Sequence, residues 1–176
     1  MFRTTTLLLC LLAIALAGCS SPPTHPELAD DDQATVAEME RLVGRLSVGS
    51  DDEPDLTIDQ AGHVIVVDLS GVEDPQKVND AALEYLGKLT HVQKLFLTST
   101  AITDDGLVHL AGLTELTHLN LDGTAVTNAG LRHLKPLKNL RTLFCLGTQV
   151  NTAGSNELKQ TLPSVLVTHG GDSSVP

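Results

Sequence analysis

The chain has little with which to do chemistry. Among 176 residues there is no tryptophan, one tyrosine and three phenylalanines. Phe2 lies in a segment expected to be cleaved, so Phe96 and Phe144 are the phenylalanines left to the folded part. Cysteine is scarce too. Cys10 leaves with the same segment, Cys19 has a separate assignment below, and Cys145 stands where equivalent positions carry Leu. No disulfide framework is possible, and the fold must stand on its apolar core. Cys145 reads as a small core residue. Positive charge is short: 11 Lys and Arg face 22 Asp and Glu, a formal −11. That argues against a nucleic-acid partner and against electrostatic adhesion to anionic lipid. Eleven acids fall between Glu27 and Asp59 against Arg41 and Arg45 alone. A solvated acidic collar is the simplest reading of that run. The apolar run Leu7–Ala17 has 11 residues, too few to cross a bilayer.

Familiar catalytic signatures are missing as well. The chain carries no CxxC, no Gly-rich phosphate loop, no paired-carboxylate motif and no Ser/His/Asp set. We therefore expect no enzyme, no cofactor and no metal. Seven histidines invite a metal reading. His109 and His133 share one helix position with Tyr85, which gives a surface ladder without a third ligand. His118 falls on a strand face and His91 in a turn, out of register with each other.

What is present is a period. Leu83–Gly106, Leu107–Gly130 and Leu131–Gly154 are one 24-residue unit written three times without a gap. Periods of this length signal a solenoid. The first third of each copy has leucines three apart: Leu83, Leu86, Leu89; Leu107, Leu110, Leu113; Leu131, Leu134, Leu137. That spacing predicts a short helix with one buried face. The middle reads Val92-x-x-Leu95-x-Leu97, Leu116-x-x-Leu119-x-Leu121 and Leu140-x-x-Leu143-x-Cys145. Its alternation predicts a strand. Neither piece can bury its apolar side alone. Stacked copies make a parallel sheet, a layer of helices and one core between them. Thr100, Thr124 and Thr148 form a column suited to bonding turn backbone. Thr103-Asp104, Thr127-Asn128 and Asn151-Thr152 read as helix N-caps. Gly106, Gly130 and Gly154 imply close packing on the neighbouring turn, since Gly costs about 1 kcal/mol against Ala inside a helix.

The run L-x-x-L-x-L-x-x-T-x-[IV]-[TN]-x-x-G-L resembles a leucine-rich repeat with Thr where Asn or Cys is usual. Leu95-Phe96-Leu97, Thr100, Ile102-Thr103-Asp104 and Gly106-Leu107 carry the match. The ITDxGL variant is similar to repeats of F-box leucine-rich proteins and of many bacterial envelope proteins, planctomycete ones especially. The resemblance implies an α/β solenoid with its parallel sheet on the concave side and short helices on the convex side. It also implies a module that binds proteins, with partners that vary freely.

In chain order, residues 1–18 read as a signal peptide with Arg3 as its positive start. Leu16-Ala17-Gly18-Cys19 resembles a bacterial lipobox, which implies cleavage before Cys19 and its acylation, palmitate included. An ordinary signal peptide with an incidental Cys is the alternative. Ser20 after the Cys favours, by the family sorting rule, the outer membrane of a Gram-negative cell. Residues 19–33, with three prolines and four acids after Cys19, read as a disordered tether. Residues 34–62 read as an N-terminal cap: a helix with the stripe Val36, Met39, Val43, Leu46, then the first strand of a hairpin turning at Asp59–Gly62. The second strand opens the repeats, residues 63–167. Its coil runs 28 residues from Val64 to Val92, with the extra four around Glu73–Lys77. Ser155–Val167 is a degenerate capping copy, and residues 168–176 read as a flexible tail.

Residues between the buried strand leucines point outward. They line up as Val66, Lys94, His118, Thr142; then Asp68, Phe96, Asn120, Phe144; then Ser70, Thr98, Asp122, Leu146. Phe96 and Phe144 among polar neighbours resemble a recognition patch. Lys94, Phe96, His118, Asn120, Asp122, Phe144 and Leu146 are the expected binding residues for a protein or peptide. Scattered surface apolars, or cover by a loop, tail or second copy, remain as readings of the same row. The expected function is a lipid-anchored, non-catalytic binding module of the bacterial envelope. A self-associating structural protein without a discrete ligand is the alternative.

Overall fold

The computed structural model describes residues 28–44, 46, 55–70, 72 and 74–170. The signal peptide, Cys19, the tether up to residue 27 and the tail beyond residue 170 lie outside them.

Helix α1 (Asp30–Val43) is followed by β1 (Leu56–Ile58), β2 (Val64–Asp68), helix α2 (Asp80–Leu86), β3 (Lys94–Phe96), β4 (His118–Asn120), β5 (Thr142–Cys145), helix α3 (Thr152–Thr161) and β6 (Leu166–His169). The six strands form one sheet in chain order. β1 pairs antiparallel with β2, the predicted hairpin, and every later pairing is parallel. Register follows the period. Val67, Leu95, Leu119, Leu143 and Val167 are mutual partners across five strands.

Between β3 and β6 the helical part of two coils is 3-10 rather than α: Gly106–Gly112 and Gly130–Leu134. The leucine spacing explains it. A 3-10 helix has three residues per turn and eclipses i with i+3, so Leu107 and Leu110 fall on one line facing the core. These segments stack between α2 and α3. The leucines between helical layer and sheet form one continuous buried cluster from Leu28 to Val167.

Backbone bonds run along the stack in columns. One goes Gln93 N–H to Ile65 C=O, Thr117 to Gln93, Arg141 to Thr117 and Leu166 to Arg141, each 2.8 Å. Another ties Ala101 to Val78, Ala125 to Ile102 and Gln149 to Val126. The threonine column behaves as expected. The Thr100, Thr124 and Thr148 hydroxyls donate at 2.7 Å to the carbonyls of Leu97, Leu121 and Cys145.

The expected caps are corrected in part. Asn151 does cap α3, accepting from Ala153 N–H and Gly154 N–H. Asp104 and Asn128 do not cap their own coils. They reach into the next one. The Asp104 carboxylate accepts from Thr127 N–H (2.8 Å) and its hydroxyl (2.6 Å), as Asp80 does from Thr103. Asn128 exchanges two bonds with Asn151. Thr103 and Thr127 keep the local role, accepting from Asp105 N–H and Ala129 N–H. The glycine column makes room for this ladder. A Cβ on Gly106, Gly130 or Gly154 would come within 2.2, 2.2 or 2.1 Å of the side-chain oxygen of Asp80, Asp104 or Asn128.

Two expected boundaries move. α1 starts at Asp30, so Asp30–Gln33 are helix and not tether. Three acids in the first turn suit the positive end of the helix dipole. Asp32 also reaches inward: it is 4% exposed and accepts from Val64 N–H at 2.7 Å. At the other end, Thr168 and His169 continue β6 rather than open a tail.

Desolvation by burial raises the Asp32 pKa above 3.8, against the Val64 hydrogen bond that lowers it. The sign follows. A raised folded-state value favours the protonated form, so this group's contribution is intact below pH 3.8 and is lost as pH rises through the raised value. Asp32→Asn keeps an acceptor for Val64 without the charge. It is expected to flatten that loss and leave stability at pH 7 unchanged or higher. Asp32→Ala orphans the N–H and is expected to cost about 1–3 kcal/mol. Urea midpoints between pH 3 and pH 7 decide; equal slopes for wild type and Asp32→Asn would refute the assignment.

Candidate binding face

Period-two alternation puts every second strand residue on the outward face of the sheet. Pairing builds two rows there: Val66, Lys94, His118, Thr142 and Leu166; and Asp68, Phe96, Asn120, Phe144 and Thr168. Leu166 and Thr168 were not anticipated. The signal was available, because Val167 lies 24 residues after Leu143 and brings its neighbours into the rows. Leu166 is 63% exposed and Leu146 is 45% exposed.

The phenylalanines need a correction. Phe96 and Phe144 are half-buried, not fully exposed. They flank Asn120 on either side. At a strand spacing of about 4.8 Å their backbones lie about 10 Å apart along the row.

Much of the polar equipment is already committed. Asn120 Oδ1 accepts from Asp122 N–H at 2.8 Å, and Asp122 Oδ1 from Leu146 N–H at 2.6 Å. The turn at this height is left-handed, with Gly123 at φ 70° and Gly147 at φ 69°. Ser99 takes the same conformation at φ 60° without being Gly. Thr117 Oγ1 lies 2.9 Å from Gln93 C=O and 2.8 Å from His118 Nδ1, so the His118 ring is held against the neighbouring turn. Lys94 is exposed. Burial, with the Asp122 charge second, pushes the Cys145 thiol up to about 12. Its thiolate is unavailable at neutral pH, which suits a core residue.

One constellation was missed. The His63 and His91 rings lie 4.2 Å apart. Asp59 approaches His63 and Glu115 approaches His91, each at 3.4 Å. Their 28-residue separation is that of the longer first coil, so the register was legible once the insertion was counted. Among the described residues no group of three or more His, Cys, Asp or Glu could hold a metal ion. No helix among them is long and apolar enough to cross a membrane.

No family model matches the sequence, and no curated protein matches it. Solved structures do. Internalin C2 of Listeria monocytogenes aligns with TM-score 0.47 and 18% identity over 78% of this chain and 68% of its own. The PEPR1–AtPEP1 structure aligns with TM-score 0.47 and 12% identity over 81% of this chain. Internalin InlF of Listeria monocytogenes gives 0.40 and 16% over 80%. The chain spans 25% of the PEPR1 structure and 46% of InlF.

Proposed function

We propose that this chain is a non-catalytic module that takes a protein or peptide across the outward face of its sheet. The observation behind it is the row Phe96–Asn120–Phe144, with Leu146 and Leu166 exposed beside it. Lys94, His118 and Asp122 supply charge and hydrogen bonding around that apolar set. Half-buried aromatics ringed by polar groups are where binding energy concentrates. A bound segment could lay apolar side chains against both rings without disturbing the core leucines beneath.

The test is a crosslinked pull-down from whole envelopes, wild type against Phe96→Ser/Phe144→Ser. Hot-spot aromatics contribute about 2 kcal/mol each, so the double change is expected to weaken capture by about a thousandfold. Identical captures from a folded variant would overturn the face as the site.

The address is part of the proposal. The lipobox-like Leu16-Ala17-Gly18-Cys19 supports a bacterial envelope protein held by acyl chains on Cys19, with the outer membrane favoured by Ser20. Each buried methylene contributes about 0.8 kcal/mol, so two or three chains anchor stably. Cys19→Ala is expected to move the protein from the membrane pellet to the soluble fraction. A variant that still sediments with membranes would remove the lipid anchor.

A further inference from the structure

One position bridges the coils all along the stack until the last boundary. His63, His91, Glu115, Asn139 and Pro163 are column mates, 28, 24, 24 and 24 residues apart. The His63 and His91 rings lie 4.2 Å apart, and His91 Nδ1 lies 3.4 Å from Glu115. The Asn139 amide donates to Thr114 C=O at 2.8 Å. Pro163 holds this position in the terminal coil. Its ring has no side-chain donor, so it cannot repeat the Asn139 bond one coil on, to Lys138 C=O. At this boundary the two coils leave a cleft of about 170 Å³.

Arg141 takes the carbonyl that Pro163 leaves. Its Nη1 donates to Lys138 C=O at 3.2 Å and to Leu140 C=O at 3.4 Å. Lys138 Nζ donates to Lys135 C=O at 2.9 Å. These bonds hold both cations beside the cleft and use few of their donors. Thr161 and Ser164 line it from the facing coil, with buried Leu162 between them in the chain. The Thr161 and Ser164 hydroxyls hold no hydrogen-bond partner among the described residues.

No carboxylate lines this cleft. From residue 123 to residue 170 the chain has Arg132, Lys135, Lys138, Arg141 and Lys159 against Glu157 alone. Glu157 is taken: Arg132 Nε lies 3.2 Å and Lys135 Nζ 2.9 Å from it. Lys138 and Arg141 are thus a charge pair without a counter-charge, in a chain that is acidic as a whole.

We propose that the cleft between the third repeat and the terminal coil binds a small, doubly charged oxyanion, the phosphate group of a small molecule. Arg141 supplies a planar fork and Lys138 a point charge, two complementary ways of holding phosphate oxygens. Thr161 and Ser164 supply hydroxyl donors from the opposite wall. Two cations match two negative charges, which favours phosphate over a single carboxylate. The overall −11 opposes an incoming anion at long range, but at about 0.1 M salt that repulsion is screened beyond about 10 Å. The site is separate from the Phe96–Phe144 row and does not rest on it.

Amide NMR of the full chain, titrated with inorganic phosphate at about pH 8 where the dianion predominates, tests the idea. Saturable shifts are expected at Lys138, Arg141, Thr161 and Ser164, with acetate binding about tenfold more weakly at equal ionic strength. Lys138→Ala and Arg141→Ala are each expected to weaken phosphate binding about tenfold, the loss of one charge-assisted contact. Arg132→Ala is expected to leave it unchanged, because Arg132 faces Glu157 instead. Pro163→Asn removes no charge. It returns the bridging amide, and is expected to close the cleft and abolish binding, while Pro163→Ala keeps both cleft and binding. Shifts that do not saturate or that spread over the whole chain would overturn the proposal. So would acetate binding as tightly as phosphate, equal losses from Arg132→Ala and Arg141→Ala, or a folded Pro163→Asn that binds like wild type. Phe96→Ser/Phe144→Ser is expected to bind phosphate as wild type does, which separates failure here from failure of the face.

Discussion

Gly130→Ala is expected to destabilise the protein by about 2–3 kcal/mol. Helix propensity alone forecasts the opposite sign, a gain of about 1 kcal/mol inside a helix. The reason for the reversal sits one coil away. The added Cβ would come within 2.2 Å of Asp104 Oδ1 and 3.0 Å of Leu107 Cδ1. Asp104 cannot simply swing aside, because Thr127 N–H and the Thr127 hydroxyl both donate to it. Displacing it breaks two bonds and strands a part-buried N–H. Asp104→Ala is expected to cost about 2 kcal/mol by itself. In that background the Cβ meets no carboxylate, and Gly130→Ala is expected to cost less than about 1 kcal/mol or to stabilise. The coupling is then about 2 kcal/mol, well beyond what independent sites show. Urea denaturation of the four proteins measures it. Additive losses would mean that the glycine column serves something other than the Asp104–Thr127 contact.

Leu119→Ala is expected to remove more, about 3–4 kcal/mol. Leu119 is fully buried in β4, between Leu95 and Leu143 in register. A domain of this size has about 5–15 kcal/mol in total, so the variant sits near its limit. The end of the stack should respond differently. Val167 is 8% exposed in β6 and, among the described residues, has a strand on one side alone. Val167→Ala is expected to cost about 1–2 kcal/mol and to loosen amide protection in β6 first. Equal losses at the two positions would argue against a stack whose coils lean on both neighbours.

Much of this fold could be read from spacing. Leu95, Leu119 and Leu143 sit 24 apart and are strand partners, so period gave register directly. Contacts that depend on which way a side chain turns were harder. Asp104 has Asp105 and Gly106 as neighbours and looks like a local cap; its partner is 23 residues on. Acids in a row before a helix look solvated, and Asp30 and Asp31 are, yet Asp32 turns in to Val64. His63 and His91 escaped notice because the first coil is four residues longer. On the face, the sequence placed Phe96 and Phe144 in one row. It overstated their exposure, since alternation fixes the side of a sheet and not how deeply a ring settles among its neighbours.

The backbone columns from Ile65 to Leu166 lie along the stacking direction, and that has a mechanical side. A pull applied between the two ends opens these bonds rather than sliding strands past one another. Force then meets one coil boundary at a time, as in a zipper, and not a whole sheet in shear. Each 24-residue coil that opens lengthens the chain by about 80 Å when fully extended. Loaded end to end, such a molecule gives way coil by coil, in steps of one length except at the longer 28-residue first coil.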